Sequence, residues 1–526
     1  MTNLILLEVS FILMIIYFLF KLRHGFHMFQ LESYKPERYK SWMKKNKQDL
    51  INFRELLLLI PLIILVINAR VAIIVQIVIL VLLWISRNVY KEKKPLVITS
   101  RIKRLYTTSL ILIILLIIIN NITFIKCSVY VSIISLFILD LALFLSMYLT
   151  LIVNAINTPI EKAINKKFYN KAKRKLEEMP NLTVIGITGS YGKTSTKYIL
   201  STILNQKYNV LITPGNFNTL LGVERTINEN LKSTDQIFIC EMGAKNIGDI
   251  KEICDLVHPQ YGVLTAIGPQ HLDTFKTLEN VSKTKMELIN SLPKDGLAFV
   301  NYEDENIKNT KINKKYVKYG LNNDNNVYAY NIKISEDGAI FDVHTPSGEV
   351  KDIKTKLLGE NNIINVAGAV SVAIELGLTV DEIKLGISYL KPVEHRLELR
   401  KNPNGLIIID DAYNSNIKGA TKAFETLKLF NNKKRIIVTP GIVDLGEESE
   451  KYNKQIGEKA AECADFVILV GKKQAPPIKE GLLNKNYPEE KIYIAENINK
   501  AIEKWNEFPA NETVILLEND LPDNYL

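Results

Sequence analysis

The residues most suited to chemistry begin at Thr188. Gly189-Ser190-Tyr191-Gly192-Lys193-Thr194-Ser195 follows an apolar run over residues 181–187 and precedes a helical stretch over 196–204. Strand, Gly-rich turn, Lys-Thr and helix is the layout of a phosphate-binding loop. Glycines let backbone N–H groups face a polyphosphate, and the helix start favours negative charge. Lys193 would reach the β- and γ-phosphates and Thr194 would ligate Mg²⁺. The spacing is the shorter GxxGKT, since the position a longer loop would give to glycine is Ile187.

Further groups are spaced along the chain. Glu241 closes an apolar run (236–240) and offers hard oxygens to Mg²⁺. Asn216, Asn218 and Thr219 lie in a loop that either faces an incoming carboxylate or amine or only serves turn geometry. His271 follows a strand–Gly turn, and Lys285 sits on a helical stretch near Lys283, where a solvated basic face is the plain alternative. Asn361, Asn362 and Asn365 either touch a nucleotide base or cap the helix they open. Arg396 either bridges phosphates with its fixed fork of donors or forms a hinge salt bridge. Asp411 ends an apolar strand at 406–409, with Asp410 the alternative acid, and Tyr413, Asn414 and Asn416 shape the loop that follows.

Strands alternate with helical patterns across 181–293, the signature of a doubly wound, mostly parallel sheet. Residues 297–358 are richer in strands and elaborate this central domain. After Pro392, strands at 406–409, 435–439, 466–470, 491–495 and 513–517 alternate with helices, giving a second, smaller α/β domain over 393–526. A nucleotide would lie between the 181–392 and 393–526 domains, and closure would complete the site.

The first 155 residues belong to another regime. Apolar runs occur at 4–20, 56–67, 71–85, 105–119 and 129–153, about five spans of an all-α transmembrane region. The second and third are short, and form a tight hairpin around Asn68 and Arg70, two tilted spans or a re-entrant pair. Lysines and arginines concentrate in 21–54 and 87–104, which places both segments and everything after Asn154 in the cytoplasm. Residues 156–180 read as an amphipathic linker, either on anionic lipid or solvated. These basic loops account for the net charge of +10 without a nucleic-acid partner. Cys127, Cys240, Cys254 and Cys463 form no CxxC, so neither a zinc site nor a disulfide framework is signalled.

Taken in order, ITGSYGKTST, GNFNTLLGVERTI (Gly215–Ile227), EMGAKNIGDI (Glu241–Ile250), LTAIGPQHLDTFKTLENVSKTKMELI (Leu264–Ile289), GENNIINVAGAVSVAIELG (Gly359–Gly377), EHRLE (Glu394–Glu398) and IIIDDAYNSN (Ile407–Asn416) resemble the Mur ligases of cell-wall precursor synthesis. They are most similar to the branch that adds D-alanyl-D-alanine. The resemblance covers about residues 181–470 and implies a phosphate-loop central domain and a Rossmann-like C-terminal domain. It implies an ATP- and Mg²⁺-dependent ligase that forms an amide through an acyl phosphate. By resemblance, Glu241 and His271 hold Mg²⁺, Lys285 becomes a metal ligand once carbamylated, and Asp411 contacts the ribose or phosphates. The partners implied are a UDP- or lipid-linked cell-wall precursor, an amino acid or dipeptide, and membrane lipid. The sequence departs from the family in four places: apolar runs stand where the uridine-binding domain is expected, Asn361 where histidine is common, Ile417 where proline is expected, and ETVILLENDLPDNYL where a basic Lys-Gly-Ser ending is expected.

Overall fold

A computed structural model describes residues 2–46, 50, 52–87, 95–126, 129–413, 416–471 and 474–520. The chain divides into two compact units, one running through Lys166 and the other starting at Lys167.

The described part of the first unit is helical, as long apolar runs without turn residues require. Two helices, Ile5–Leu31 and Ser100–Thr123, are long and apolar enough to cross a membrane. Ile133–Phe144 and Ser146–Glu177 pass the same test only as a pair, bent by 90°. The helix Ala69–Ile85 is shorter, and run 56–67 divides into a 3₁₀ turn at Phe53–Leu58 and the short helix Leu59–Leu65. Asn68 separates this pair from the next helix by accepting hydrogen bonds from the N–H groups of Arg70 and Val71. Two buried carboxylates in this unit are paired: Glu55 accepts from Tyr17 at 2.9 Å and Lys21 at 2.6 Å, and Glu161 takes both arms of Arg104 at 2.6 and 2.8 Å.

The second unit holds two sheets. The first contains β1 (Thr183–Thr188), β2 (Val210–Ile212), β3 (Ile237–Glu241), β4 (Tyr261–Leu264), β5 (Leu297–Asn301), β6 (Tyr316–Gly320), β7 (Val327–Ser335), β8 (Gly338–Thr345) and β9 (Gly348–Thr355). Their order is β2-β3-β1-β4-β5-β6-β7-β8-β9. Pairing is parallel as far as β7 and antiparallel in the β7–β9 meander, the strand-rich segment expected from the sequence. The central strands are apolar on both faces because helices cover both. Helices Lys193–Leu204 and Glu360–Glu375 bury Leu200, Ile203, Val366 and Val370 on one side. On the other, helices Leu220–Asn230, Asp249–Val257 and Leu278–Ser291 bury Ile227, Ile253 and Leu288.

The second sheet contains β10 (Glu398–Lys401), β11 (Ile407–Asp411), β12 (Lys434–Thr439), β13 (Phe466–Val470), β14 (Ile492–Ala495) and β15 (Thr513–Glu518). Their order is β10-β11-β15-β12-β13-β14. Only β10 runs antiparallel, so this too is a largely parallel α/β layer.

Candidate active site

The site opens at the carboxyl ends of β1, β3 and β4, near the centre of the first sheet, where open α/β sheets bind ligands. The loop leaves β1 at Thr188 and enters its helix at Lys193. Two glycines are required by close approach: a Cβ on Gly189 would lie 2.0 Å from Thr265 Oγ1, and Gly192 sits at φ +81° with Asn365 Oδ1 3.1 Å from where a Cβ would be. The Ser190 hydroxyl locks the loop to the β4 turn, donating to the Gly268 carbonyl at 2.9 Å and accepting from its N–H at 3.0 Å. Lys193 Nζ donates to the Gly189 carbonyl at 2.7 Å, curled over its own loop. Burial pushes this amine down to about 8; Glu241 opposes that shift and Arg396 adds to it.

Glu241 is the junction of the site. Its Oε1 accepts from Thr194 Oγ1 and from Asn218 Nδ2, both at 3.1 Å. Lys197 Nζ lies 2.9 Å from Oε2, off the direction of a good hydrogen bond, so Oε2 keeps lone-pair capacity. Burial favours the neutral acid, but Lys197 and Lys193 more than offset it and the carboxyl titrates below its usual range. Lys197, fully buried, also donates to the Gly215 carbonyl at 2.8 Å and so fixes the start of the Asn216–Thr219 loop. Thr219 caps the following helix, accepting from the Gly222 N–H at 3.4 Å.

The two lysines of the 278–291 helix part company. Lys283 is exposed and paired with Glu279 at 2.7 Å, one turn away. Lys285 is buried, and burial lowers its amine to about 7, with Lys193 pushing the same way. His271, in the left-handed region at φ 52°, places Nδ1 3.0 Å from Asp444 Oδ2 on the second domain. Burial lowers its pKa although Asp444 acts against this. A neutral imidazole facing a carboxylate carries its proton on Nδ1, which leaves the Nε2 lone pair for another partner.

The second domain supplies the facing wall. Arg396 lies over the Tyr413 ring, 4.5 Å from its centroid, and Tyr413 shares its cavity with Asn216. Asp411 accepts from the Leu397 N–H at 3.2 Å, and burial raises its carboxyl to about 6 despite Arg396. Asp410 is spent within the hinge, on His395 at 2.9 Å and Arg400 at 3.1 Å. A cavity of about 450 Å³ separates the walls, lined by Thr194, Tyr198, Asn216, Arg396 and Tyr413 among others. Asn365 accepts from Thr196 at 3.2 Å and so braces the loop's helix, while Asn362 donates to the Leu358 carbonyl at 2.8 Å. Asn416 caps the next helix by accepting from the Gly419 N–H at 2.9 Å; Asn414 lies outside the described residues.

The structure thus gathers Lys193, Thr194, Glu241, Asn216, Asn218, Arg396 and Tyr413 around one cleft. The sequence reading missed Lys197, Thr213, Asp304, Asp444 and Lys418. Thr213 positions Glu241 by accepting its N–H at 3.1 Å. Lys197 carried the only local signal, a lysine one helical turn after Lys193; the others depend on chain segments meeting in space. Among the described residues no group of three His, Cys, Asp or Glu side chains stands ready for a metal. Mg²⁺ needs no such group: it binds through few protein oxygens and keeps its waters. The Thr194 hydroxyl and the ionised Glu241 carboxylate are oxygen donors of that kind. Cys240, Cys254 and Cys463 are buried free thiols.

A doubly wound sheet carrying a phosphate loop, faced across a cleft by a second parallel sheet, defines a two-domain phosphate-loop α/β protein. The chain belongs to the Mur ligase family. Residues 187–373 match the Mur ligase middle domain, and 395–517 match the Mur ligase, glutamate ligase domain. The UDP-N-acetylmuramoyl-tripeptide–D-alanyl-D-alanine ligase of Bacillus subtilis (strain 168) is 31% identical over 325 residues, 61% of this chain and 69% of that protein. The ligase of the same name from Escherichia coli (strain K12) is 34% identical over 294 residues, 55% of this chain and 64% of its own length. The chain therefore spans slightly less than two thirds of the Escherichia coli relative. The crystal structure of MurF from Acinetobacter baumannii superposes with a TM-score of 0.61 at 26% identity, covering 68% of this chain and 77% of that one. MurF ligase from Thermotoga maritima, in complex with ADP, gives 0.61 and 26%, with 68% and 80% covered.

Proposed function

We propose that this chain is an ATP- and Mg²⁺-dependent ligase that joins a carboxylate to an amine through an acyl phosphate, adding D-alanyl-D-alanine to a muramoyl-tripeptide precursor at the cytoplasmic face of a membrane. The observation that carries the reading is the Thr194–Glu241 contact at the mouth of the phosphate loop, with Lys193 behind it and Arg396 on the facing wall. The names of the relatives supply the substrates.

Each residue has a task in this reaction. Loop N–H groups and Lys193 hold the polyphosphate, the amine leaving the Gly189 carbonyl for phosphate oxygens. Arg396, lying over the Tyr413 ring, offsets negative charge as the substrate carboxylate meets the γ-phosphate. Mg²⁺, held by Thr194, Glu241 and His271, would screen the two anions from each other. Lys285, close to neutral, is in the state that can take up CO₂ and become an anionic ligand. Asn216 and Asn218 sit where the acceptor must enter, and the second domain excludes water as it closes.

A second reading keeps the chemistry and changes the acceptor to a lipid-linked or non-murein one. The two long apolar helices on the same polypeptide favour it, because they would hold the ligase where a lipid-linked substrate resides. The test is ADP release by the detergent-solubilised full chain with D-alanyl-D-alanine and UDP-linked muramoyl tripeptide, set against the lipid-linked form. Turnover with the soluble precursor supports the first reading, and turnover only with the lipid-linked form supports the second. Silence with both overturns the choice of substrate.

A further inference from the structure

Tyr191 occupies a position to which the phosphate-loop spacing assigns no residue type, yet its side chain is committed. Its ring packs on Gly268, where a Cβ would lie 3.0 Å from Tyr191 Cε1, and its hydroxyl donates to Asp304 Oδ2 at 2.9 Å. Burial and the Asp304 charge keep the phenol protonated, and therefore a donor. Asp304 is itself buried. Its Oδ1 accepts from the N–H groups of Asn306 and Ile307 at 3.0 and 3.2 Å, which fixes the carboxylate on the first domain. Oδ2 also accepts from elsewhere: Lys418 Nζ, on the first turn of the Ile417–Leu427 helix of the second domain, donates at 3.2 Å.

One carboxylate oxygen is thus shared by the phosphate loop and the second domain. When the domains part, Asp304 loses the Lys418 ion pair, and a buried carboxylate left without a counter-ion is costly to hold in place, so the anchor of Tyr191 loosens. The loop and the domain contact are therefore coupled through a single atom. We propose that Tyr191, Asp304 and Lys418 form a relay through which the second domain orders the phosphate loop, with Asp304 a positioning residue that never touches the reacting atoms. It deepens the ligase reading by naming how closure would reach the nucleotide site, and it rests on that reading only for what the loop binds.

The test is amide hydrogen exchange of residues 189–193 in the nucleotide-free full chain in detergent, for wild type, Lys418→Met, Lys418→Arg, Tyr191→Phe and the Lys418→Met/Tyr191→Phe double variant. Lys418→Met should speed exchange in the loop by about threefold or more, while Lys418→Arg stays near wild type. In the Tyr191→Phe background, Lys418→Met should add nothing, because the connection is already cut. Unchanged exchange in Lys418→Met, or equal acceleration in both backgrounds, overturns the relay. Loss of the arginine rescue does so as well. A silent ligase assay with this coupling intact would sink the ligase reading alone, and a working ligase without the coupling would sink the relay alone.

Discussion

The Thr194 hydroxyl donates to Glu241 Oε1 over 3.1 Å, so the second residue of the loop's helix and the last residue of β3 meet at one point. Parallel pairing of β1 with β3 places them there, since Ile187 is in register with Glu241.

That meeting point sets the first expectation. Glu241→Gln keeps the Thr194 contact but removes the charge that Lys193 and Lys197 hold in place. ADP release should fall by about 100-fold, and raising Mg²⁺ should recover part of it. Turnover within a fewfold of wild type would remove Glu241 from the metal site.

Lys285 carries a pH dependence with a definite sign. Its amine is lowered from 10.5 to about 7, so between those values the unfolded chain binds more protons than the folded one. Stability then rises with pH across that window, and the cost of the buried charge is fully present below about 7. Lys285→Met should melt at a higher temperature than wild type at pH 6, with the gap narrowing as pH rises from about 7 towards 10.5, and should be inactive. Lys283→Met should match wild type in both melting and turnover. A Lys285→Met protein less stable at pH 6 would contradict the burial argument.

His271 offers a milder test. Its pKa lies below the ordinary value of 6.5, so the folded form resists protonation, and the stability this contributes is lost as pH drops through that window. Asp444→Asn leaves the ring without its carboxylate. It should lower kcat about tenfold while equilibrium binding of a fluorescent ATP analogue stays close to wild type. Loss of nucleotide binding would show that Asp444 does more than orient the ring.

The helical unit can be tested without any enzymology. The full chain should stay with membranes after an alkaline carbonate wash. A cysteine introduced at Lys40 should react with an impermeant maleimide only after cells are opened. Labelling of intact cells would invert the orientation drawn from the basic loops.

The phosphate loop, Glu241 and the alternation of strands and helices were legible because each depends on residues close in sequence: an apolar run, a glycine turn, a helix start. Lys285 could be singled out from Lys283 only by resemblance, since neighbouring lysines look alike until burial separates them. Asp304, Asp444 and Lys418 were silent. Their partners lie between 113 and 173 residues away, and no local pattern marks a carboxylate shared by two domains. Asp410 and Asp411 were a near tie in sequence; in the fold Asp410 pairs with His395 and Arg400, contacts that no local pattern announces.

The strand nearest the carboxyl terminus is not at the edge of its sheet. β15 lies between β11 and β12, pairing with both in parallel. Until residue 518 has been synthesised and freed from the ribosome, the second domain has two interior strand edges with nothing between them. A chain released early would present those edges to its neighbours and would have no partner domain for the phosphate loop. Quality control is therefore written into the order of the strands, and a truncated copy is expected to aggregate or be degraded before it can consume nucleotide.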